Sequence, residues 1–437
     1  MDVDEILEKL ERGEIKLYEL DFILQGDVNK AAEIRRMYLE RKLGIKLEHI
    51  GGKPIDLNLT FGRNIENAIG VAQIPIGIAG PIKIHGDYAK GEFFIPLATT
   101  EGALVASVNR GCSAITRSGG ARAKVLKDGM ARAPVFRVPN VDKAVELVSR
   151  VREHMDELRD IFKGVSKFLD LIDVQPRIVG RNVFLRFVAR TGDAMGMNMV
   201  TIASEKAAEY IEKHLPRAKM VATSGNMCVD KKPNALNFIL GRGKSVIAEA
   251  VIKREVVDKV LKTTPENVVE VVYRKIFVGS AQAASYGFNA HYANIIAAMF
   301  IACGQDAAQV VESSMGITTA EVTEEGDLYI SVNLPSLEIG AVGGGMRLPT
   351  QQECLSILGL TDPNAPPRTR ALKFAEIVAS AVLAGELSLL GALAARHLGK
   401  AHEKLGRGRI LKERKRFLHA RRFVSEQQGP REDIRTR

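Results

Sequence analysis

Hydrophobic and polar positions along the chain follow two periods, one typical of helices and the other typical of strands. Residues 29–43 place Ile34, Tyr38 and other apolar side chains on one face at helical spacing, which predicts an amphipathic helix. Residues 91–97 instead form a short apolar run after a glycine turn, which predicts a strand. Both kinds of element therefore occur early in the chain, and the pattern indicates a protein that mixes helices and sheet.

The middle of the chain has a regular order of predicted elements. They are a strand at 135–138, a helix at 143–162 begun by Asn140 or Asp142, strands at 167–178 and 182–188, a helix at 197–214 and a strand at 219–222. This β-α-β-β-α-β order is that of the ferredoxin-like split unit. The pattern changes at both ends of the stretch, so we interpret it as a domain inserted into a larger one.

The elements predicted outside this stretch are mainly helical. Thr99 or Thr100 is expected to cap a helix that carries Glu101 in its first turn. The elements that follow the stretch are helices at 244–262 and 290–309, a strand at 328–332, a glycine-rich loop at 340–345, a helix from 351 and a long apolar helix at 368–404, interrupted near Gly385. Residues 377–395 are the most apolar in the chain, but they contain Glu386, so we expect a buried helix rather than a membrane span.

The fold class that these patterns indicate is α+β, with a large mixed helix-and-sheet domain, an inserted ferredoxin-like (βαββαβ) domain and a small helical N-terminal region. The predicted domains are the helical region at 1–50, the discontinuous large domain at 51–133 and 223–408, the inserted domain at 134–222 and a basic C-terminal tail at 409–437, which we expect to be disordered. A chain of 437 residues is long enough for two or three such domains.

Composition narrows the class of protein further. The acidic N-terminus has no signal-peptide pattern, so we expect a cytoplasmic protein without a membrane anchor. The four cysteines Cys112, Cys228, Cys303 and Cys354 are widely spaced and form no CxxC pair. They therefore predict neither a disulfide framework nor a metal site, and we expect four reduced thiols.

The net charge of +10 lies mainly at the C-terminal end of the chain. Residues 407–437 contain eleven Lys/Arg and four Asp/Glu, a net charge of +7. Such a tail is compatible with contact to nucleic acid or acidic lipid, and equally with a solvated extension that binds neither. We expect the extension, and the nucleic-acid-binding protein is kept as the rival of another class.

The segment Thr223–Pro233 is the main candidate for chemistry. Gly225 and Asn226 predict a turn, and Pro233 disfavours a helix at the preceding residue. An aspartate followed by two lysines on an irregular segment supplies fixed positive charge together with a partner that orients it. Such a loop suits a carboxylate or an oxyanion that develops during a reaction. Taken alone, the same residues also fit a solvated surface loop.

A second candidate is Asp193–Asn198, at a predicted strand-to-helix junction. Backbone N–H groups and the dipole of the following helix can hold a pyrophosphate at such a junction. The segment is not a GxGxxG fingerprint, so the residues alone leave a phosphate site and an ordinary turn open.

Four blocks, at 98–107, 193–199, 223–233 and 304–309, resemble in order and spacing the signature blocks of 3-hydroxy-3-methylglutaryl-CoA reductase. The resemblance extends from about residue 15 to residue 407 and so covers nearly the whole chain. It implies reduction of 3-hydroxy-3-methylglutaryl-CoA to mevalonate and CoA with two NADPH, in isoprenoid biosynthesis. The alternative within the family is an NADH-preferring member that degrades mevalonate.

The resemblance implies four catalytic residues: Glu101, Lys231, Asp306 and His402. Lys231 would stabilise the carbonyl oxygen that becomes negative during each hydride transfer. His402 would protonate the departing CoA thiolate, because imidazole titrates near neutrality. Glu101, held protonated, would supply the proton for the second reduction, and Asp306 would orient Lys231.

The binding residues follow from the same resemblance. The NADPH-binding residues that it implies are Ser166, Lys167, Asp193, Ala194, Met195, Gly196, Met197, Asn198 and Arg407. The residues that it implies for CoA are Tyr18, Ser107, Asn109, Arg110, Lys262, His291 and Ser388, and those for the hydroxymethylglutaryl group are Arg132, Ser224, Asp230, Lys232, Lys275 and Asn294. Ser166-Lys167 stands where NADPH-preferring members have Ser-Arg, and lysine supplies charge without the bidentate fork. Gly406 stands where an asparagine normally precedes Arg407.

The assembly that the resemblance implies is a homodimer with shared active sites, or a tetramer built from it. Neither a membrane nor nucleic acid is an expected partner, and no metal is expected in the site. Gly408 stands where animal members have a phosphorylatable serine, so that control is expected to be absent.

Overall fold

The computed structural model describes residues 2–60, 63–215 and 217–396. These residues belong to two compact units. One contains the chain up to Leu47 together with Glu101–Ala103 and Arg396, and the other contains Glu48–Thr100 and Leu104–Ala395.

Helices and strands alternate along the described residues. The α-helices are α1 Val3–Glu11, α2 Leu20–Ile23, α3 Val28–Leu43, α4 Leu104–Arg117, α5 Val141–Glu153, α6 Met155–Val165, α7 Met197–His214, α8 Ala235–Leu240, α9 Arg254–Val256, α10 Pro265–Val271, α11 Ser280–Gln282, α12 Tyr292–Ala302, α13 Val310–Ser313, α14 Pro349–Ile357 and α15 Thr369–Ala394. Short 3-10 helices lie at Leu17–Glu19, Leu57–Thr60, Ala307–Gln309 and Gly344–Arg347, and π-helical segments at Val257–Leu261 and Val272–Gly279. The strands are β1 Ile76–Gly86, β2 Lys90–Ala98, β3 Ala121–Arg132, β4 Val135–Arg137, β5 Asp170–Val179, β6 Asn182–Arg190, β7 Lys219–Ala222, β8 Gly243–Ile252, β9 Gly287–Phe288, β10 Gly316–Val322 and β11 Leu328–Leu337.

The N-terminal unit is built on α1 and α3, which are amphipathic. Asp2 and Asp27 cap these helices by accepting backbone N–H bonds, as the sequence pattern at a helix start favours. Ile6 and Ile34 are buried. The helix predicted at 29–43 is confirmed as α3.

The sheet runs in the order β7-β4-β6-β3-β8-β11-β10-β9, with β1 beside β3 and β5 beside β6. Strand β3 is the joint between its two halves. Residues up to Gly129 pair with β8, whereas Met130–Arg132 pair with β6. The last residue of β3, Arg132, therefore lies where the two halves meet.

The half formed by β4 to β7 has its own hydrophobic core, with Phe136, Phe162 and Phe187 fully buried. Its strands pair antiparallel in the order β7-β4-β6-β5. The predicted order of strands is present here with one additional helix, and the inserted ferredoxin-like domain stays a prediction. The single helix predicted at 143–162 is wrong, because two helices, α5 and α6, meet at His154.

Helix α15 forms the centre of the other core. It is long and apolar enough to cross a membrane, but 83% of its most apolar window is buried within the structure. The interruption predicted near Gly385 is wrong, because α15 is continuous through that residue. The glycine instead permits close packing, since a Cβ there would lie 2.6 Å from Cδ1 of Ile295.

The helix predicted at 244–262 is also wrong over its first half. Residues Gly243–Ile252 form β8, the strand between β3 and β11. Val246, Ala248 and Ile252 alternate along the strand and face the core, and pairing on both edges satisfies its backbone groups. The run predicted as one helix at 290–309 is instead an α-helix at Tyr292–Ala302 followed by a separate 3-10 helix at Ala307–Gln309.

A first prediction concerns the packing of α4 against α15. A Cβ on Gly111 would lie 1.9 Å from the carbonyl oxygen of Ala384, so Gly111→Ala requires two helices to separate. We expect a loss of about 1–3 kcal/mol in the free energy of unfolding, measured by denaturant titration. Gly164→Ala is the matched control, because Gly164 is also helical but has nothing within 4 Å of a Cβ. The control should gain about 0.5–1 kcal/mol. Equal effects of the two changes would contradict the packing argument.

Candidate active site

The segment Thr223–Pro233 leaves β7 as an irregular loop and leads into α8. Asn226, Val229 and Lys231 adopt left-handed backbone angles, with φ of 65°, 47° and 60°. Such angles are unfavourable for non-glycine residues, and for a β-branched valine most of all. The surrounding structure must therefore hold the loop in place.

Lys231 and Asp306 form an ion pair, with 2.7 Å between Nζ and Oδ2. Their side chains are 42% and 35% exposed, so the pair is open to a ligand on one side. Asp306 also accepts a hydrogen bond from the backbone N–H of Ala308, which fixes the carboxylate at the start of a 3-10 turn. The structure thus joins two of the four predicted catalytic residues.

A buried guanidinium lies behind this pair. Arg242 is 1% exposed, and its Nη1 donates to Asp230 at 3.0 Å, to Glu312 at 3.1 Å and to Glu338 at 2.7 Å. Burial opposes its charge, but the three carboxylates outweigh burial and raise the pKa of Arg242. The carboxylate oxygens of these three acids lie within 4.8 Å of one another, and the guanidinium fills the place that a metal ion would otherwise take.

The three acids are not equivalent. Burial favours the neutral form of Asp230, but Arg242 outweighs burial and lowers the pKa of that carboxyl group. Glu338 is fully buried, and burial together with the neighbouring Glu312 raises its pKa well above the usual value despite Arg242. Burial therefore favours the neutral form of Glu338, whereas Arg242 favours the anionic form of Asp230.

Arg132 connects this cluster to the first turns of α7. Its Nε donates to Thr201 at 3.0 Å, and its Nη1 lies 3.7 Å from Asp230. Ser224 and Cys228 are neighbours, with 3.3 Å between Oγ and Sγ. Burial opposes the thiolate, but the Ser224 bond and the two arginines outweigh it and lower the pKa of Cys228. The residues predicted for the hydroxymethylglutaryl group that lie together here are Arg132, Ser224, Asp230 and Lys232.

The block Asp193–Asn198 is a turn that ends in α7. Gly196 has a φ of 87°, and a Cβ on it would lie 2.2 Å from Thr191. The carboxylate of Asp193 accepts N–H bonds from Arg368 and Ala371, each at 3.0 Å, at the start of α15. Asp193 therefore fixes the turn against α15 rather than presenting its carboxylate to a ligand.

The turn and the glycine-rich loop at 340–345 lie side by side. The N–H of Ala341 donates to the carbonyl oxygen of Asp193 at 2.7 Å, and Ala194 forms a parallel bridge with Val342. A Cβ on Gly343 or Gly344 would meet nothing within 4 Å, so this rim is open. Together with the N-terminus of an 18-residue helix that no side chain caps, the rim fits a pyrophosphate.

The predicted pair Ser166-Lys167 follows α6 and is close to this turn. Phe168 packs on Gly192, where a Cβ would lie 3.4 Å from that of the phenylalanine. Lys167 Nζ lies 5.3 Å from the centre of the Phe168 ring. Lys167 therefore lies near Gly192, the residue that precedes the turn Asp193–Asn198.

Five residues predicted for substrate binding, four of them for CoA and Asn294 for the hydroxymethylglutaryl group, form two groups on helices. Ser107, Arg110 and Ser388 are joined by hydrogen bonds of 2.9 Å between the two hydroxyls and 3.0 Å from Nε of the arginine. Burial lowers the pKa of Arg110. His291 and Asn294 are joined at the start of α12, with 3.4 Å between ring nitrogen and amide.

Three other predicted residues belong to the larger unit, and Tyr18 belongs to the N-terminal one. Asn109 accepts the backbone N–H of Gly80, and Tyr18 is exposed in the N-terminal unit. Lys262 ends one π-helical segment and Lys275 lies in the other, and within the described residues neither forms an ion pair with the cluster.

Glu101 and His402 are the other two predicted catalytic residues. Glu101 is exposed in the turn before α4, so the prediction that it lies in the first turn of the helix is wrong. The turn ends with Ala103 at a φ of 78°, and this left-handed residue delays the helix to Leu104. His402 and Arg407, like the tail at 409–437, lie outside the described residues.

Sequence reasoning missed Arg242, Glu312 and Glu338. A signal existed in Gly241-Arg242-Gly243, an arginine between two glycines shortly after the loop. Glu312 follows Asp306 by six positions, close to a block that was recognised. Nothing in the local pattern, however, indicates that these side chains converge.

The chain is similar to known proteins over most of its length. Residues 31–407 match the hydroxymethylglutaryl-coenzyme A reductase family. The 3-hydroxy-3-methylglutaryl-coenzyme A reductase of Pyrococcus abyssi is 61% identical over 410 residues, which cover 93% of this chain and 100% of that protein. The corresponding protein of Methanocaldococcus jannaschii is 55% identical over 409 residues, covering 92% of this chain and 99% of that protein.

A solved structure is similar in fold. It is the class II 3-hydroxy-3-methylglutaryl-CoA reductase from Streptococcus pneumoniae bound to NADPH, with a TM-score of 0.66 and 19% identity over 83% of this chain and 96% of that one. At that identity the likeness concerns the fold alone. The family match and the archaeal relatives span almost the whole chain. The chain therefore belongs to the hydroxymethylglutaryl-coenzyme A reductase family.

Proposed function

We propose that this protein reduces 3-hydroxy-3-methylglutaryl-CoA to mevalonate and CoA with two NADPH, in the biosynthetic direction of the mevalonate pathway. The observation that carries the proposal is the place where the loop Thr223–Pro233 meets the turn Asp193–Asn198, here called the cofactor turn. Arg242 donates from Nη1 to Asp230, next to Lys231, and lies with Nη2 2.7 Å from Sδ of Met197 at the start of α7. Lys231, the cation proposed to stabilise an oxyanion, is thus linked through Asp230 and Arg242 to the N-terminus of α7, which is proposed to bind a pyrophosphate.

Lys231 is proposed to stabilise the thioester and aldehyde oxygens as each becomes negative. Its ammonium is held by Asp306 at 2.7 Å, so a fixed charge faces the reacting carbonyl. A fixed charge costs no reorganisation when negative charge develops, which is the basis of electrostatic catalysis. Arg132, at the end of β3, is proposed to bind the free carboxylate of the substrate.

His402 and Glu101 are proposed as proton donors. The first reduction yields a hemithioacetal, and its collapse expels a thiolate that needs a proton from His402. The resulting aldehyde needs a proton on its oxygen in the second reduction, which Glu101 would give.

The cofactor would supply hydride. The parts of this chain that would hold the cofactor are the turn Asp193–Asn198, the rim at Gly343 and the N-terminus of α7. Lys167 is proposed to hold the 2′-phosphate, which favours NADPH over the NADH of the degradative alternative. The burial of α15 in the core supports the proposed cytoplasmic location.

The choice of cofactor gives a second prediction. Lys167→Asp reverses the charge at the proposed 2′-phosphate site, and we expect the KM for NADPH to rise roughly a hundredfold while that for NADH changes little. Steady-state rates with each cofactor measure the effect. Lys163→Asp is the control, because it reverses an exposed charge one turn earlier on α6. Equal changes for both cofactors would remove Lys167 from the site.

A third prediction separates the two reductions. His402→Gln should abolish turnover of the thioester but spare the reduction of free mevaldehyde, which has no thiolate to expel. The rates of both reactions are followed by NADPH oxidation. If both are lost together, His402 acts in binding or folding instead.

The proposed homodimer with shared sites gives a fourth prediction. Lys231→Ala and Glu101→Ala chains are each expected to be inactive, and co-refolding them should restore roughly a quarter of wild-type activity. About half of randomly paired dimers are hybrids, and each hybrid keeps one intact site of two. A mixture that stays inactive although hybrids form, as native mass spectrometry can establish, would exclude shared sites.

A further inference from the structure

The backbone of Lys231, rather than its side chain, has a partner that the proposed mechanism does not use. Its N–H donates to Oε1 of Glu312, a carboxylate that is 0% exposed. The residue is left-handed, with a φ of 60°. Without a partner on that N–H, Lys231 would relax to an ordinary backbone angle, and its side chain would point elsewhere.

Glu312 also holds the preceding part of the loop through Asn237. The second carboxylate oxygen accepts from Nδ2 of Asn237 at 2.9 Å. The same amide nitrogen donates to the carbonyl oxygens of Cys228 at 2.9 Å and of Val229 at 3.3 Å. One carboxylate therefore ties both ends of the segment that contains the left-handed Val229 and Lys231.

Glu312 uses both of its side-chain oxygens as hydrogen-bond acceptors. An ionised carboxylate accepts at both oxygens and donates at neither, whereas an amide in its place would offer one acceptor. Arg242 donates to Glu312 as well, so its positive charge keeps the acceptor in place. Glu338 shares Arg242 but makes no hydrogen bond to the loop among the described contacts.

We propose that Glu312 is a positioning residue for Lys231: its carboxylate fixes the left-handed backbone of the loop and so aims the ammonium at Asp306 and the reacting carbonyl. The inference rests on the proposed function, because it concerns the aim of a group assigned to the oxyanion. Its structural part, that Glu312 holds residues 228–231, is measurable without any activity.

The test compares Glu312→Gln with two other buried glutamates. Glu312→Gln should lower kcat for mevaldehyde reduction about a hundredfold, the scale expected when a catalytic group moves by about 1 Å. The KM values should change less than about threefold, since substrate contacts remain. Glu376→Gln is the control, because Glu376 is also buried and holds the N–H groups of Asp87, Tyr88 and Ala89, in the turn between β1 and β2 rather than in the loop Thr223–Pro233. It should keep kcat within about threefold of wild type.

Glu338→Gln tests whether the loss of activity comes from the hydrogen bond to the loop or from the contact with Arg242. It alters the same guanidinium contact but not the bond to Lys231, so its effect on kcat should be smaller than that of Glu312→Gln. An equal loss in the two variants would assign the effect to Arg242 and overturn the proposal. A folded Glu312→Gln protein with wild-type kcat would overturn it as well.

Hydrogen exchange on the full-length protein gives the readout that does not depend on turnover. Peptides that cover 224–233 should exchange faster in Glu312→Gln, because the N–H of Lys231 loses its carboxylate and the loop opens more often. The same peptides should be unchanged in Glu376→Gln. If wild type turns over no substrate, the proposed function fails, and the exchange comparison still decides whether Glu312 holds the loop. Unchanged exchange in Glu312→Gln would overturn the positioning role even in an active enzyme.

Discussion

A guanidinium that is removed from water has to be balanced by charge and by hydrogen bonds, and the position of Arg242 satisfies that constraint with groups from distant parts of the chain. Its contacts include the carbonyl oxygen of Ala131 on β3, Asp230 in the loop, Glu338 after β11 and Met197 on α7. A change in any of these elements would leave a buried charge partly unpaired, which is costly. The two halves of the sheet, the loop and the cofactor turn are therefore held to one geometry.

This constraint also explains how a strained loop persists at the surface. The exposed Lys231–Asp306 pair contributes little by itself, because solvent screens such pairs. The buried groups behind it supply the rigidity, through the backbone of Lys231 and the carboxylate of Asp230. In the proposed mechanism the site separates two tasks, since a half-exposed ammonium would meet the substrate and a dry cluster would fix its direction.

The sequence predicts local elements well where the pattern and the tertiary environment agree. Helix α7 lies at Met197–His214 as predicted. Its apolar side chains are buried in the core shared with β4 to β7, and Gly196 allows the turn before it. Strand β8 was predicted as a helix, since Lys244 to Ile252 has no Gly or Pro to oppose one. Pairing with β3 and β11 decided that segment, and a non-local pairing leaves no local signal.

The same limit applies to the candidate site, where only residues that stand in local sequence blocks are predictable. Lys231 and Asp306 stand in recognisable sequence blocks. The importance of Glu312 and Glu338 is visible only from their contacts with Arg242, which is 70 and 96 residues away.

The pKa shifts of Asp230 and Glu338 follow from their positions in the folded protein. Asp230 has a lowered pKa, so its contribution to stability is present above the unfolded value of about 3.8 and is lost as the pH falls through the folded value. Glu338 has a raised pKa, so the folded state binds its proton more tightly and loses stability as the pH rises above about 4.5. Both carboxyl groups bond to Arg242, so these two opposed dependences on pH act on the same buried guanidinium.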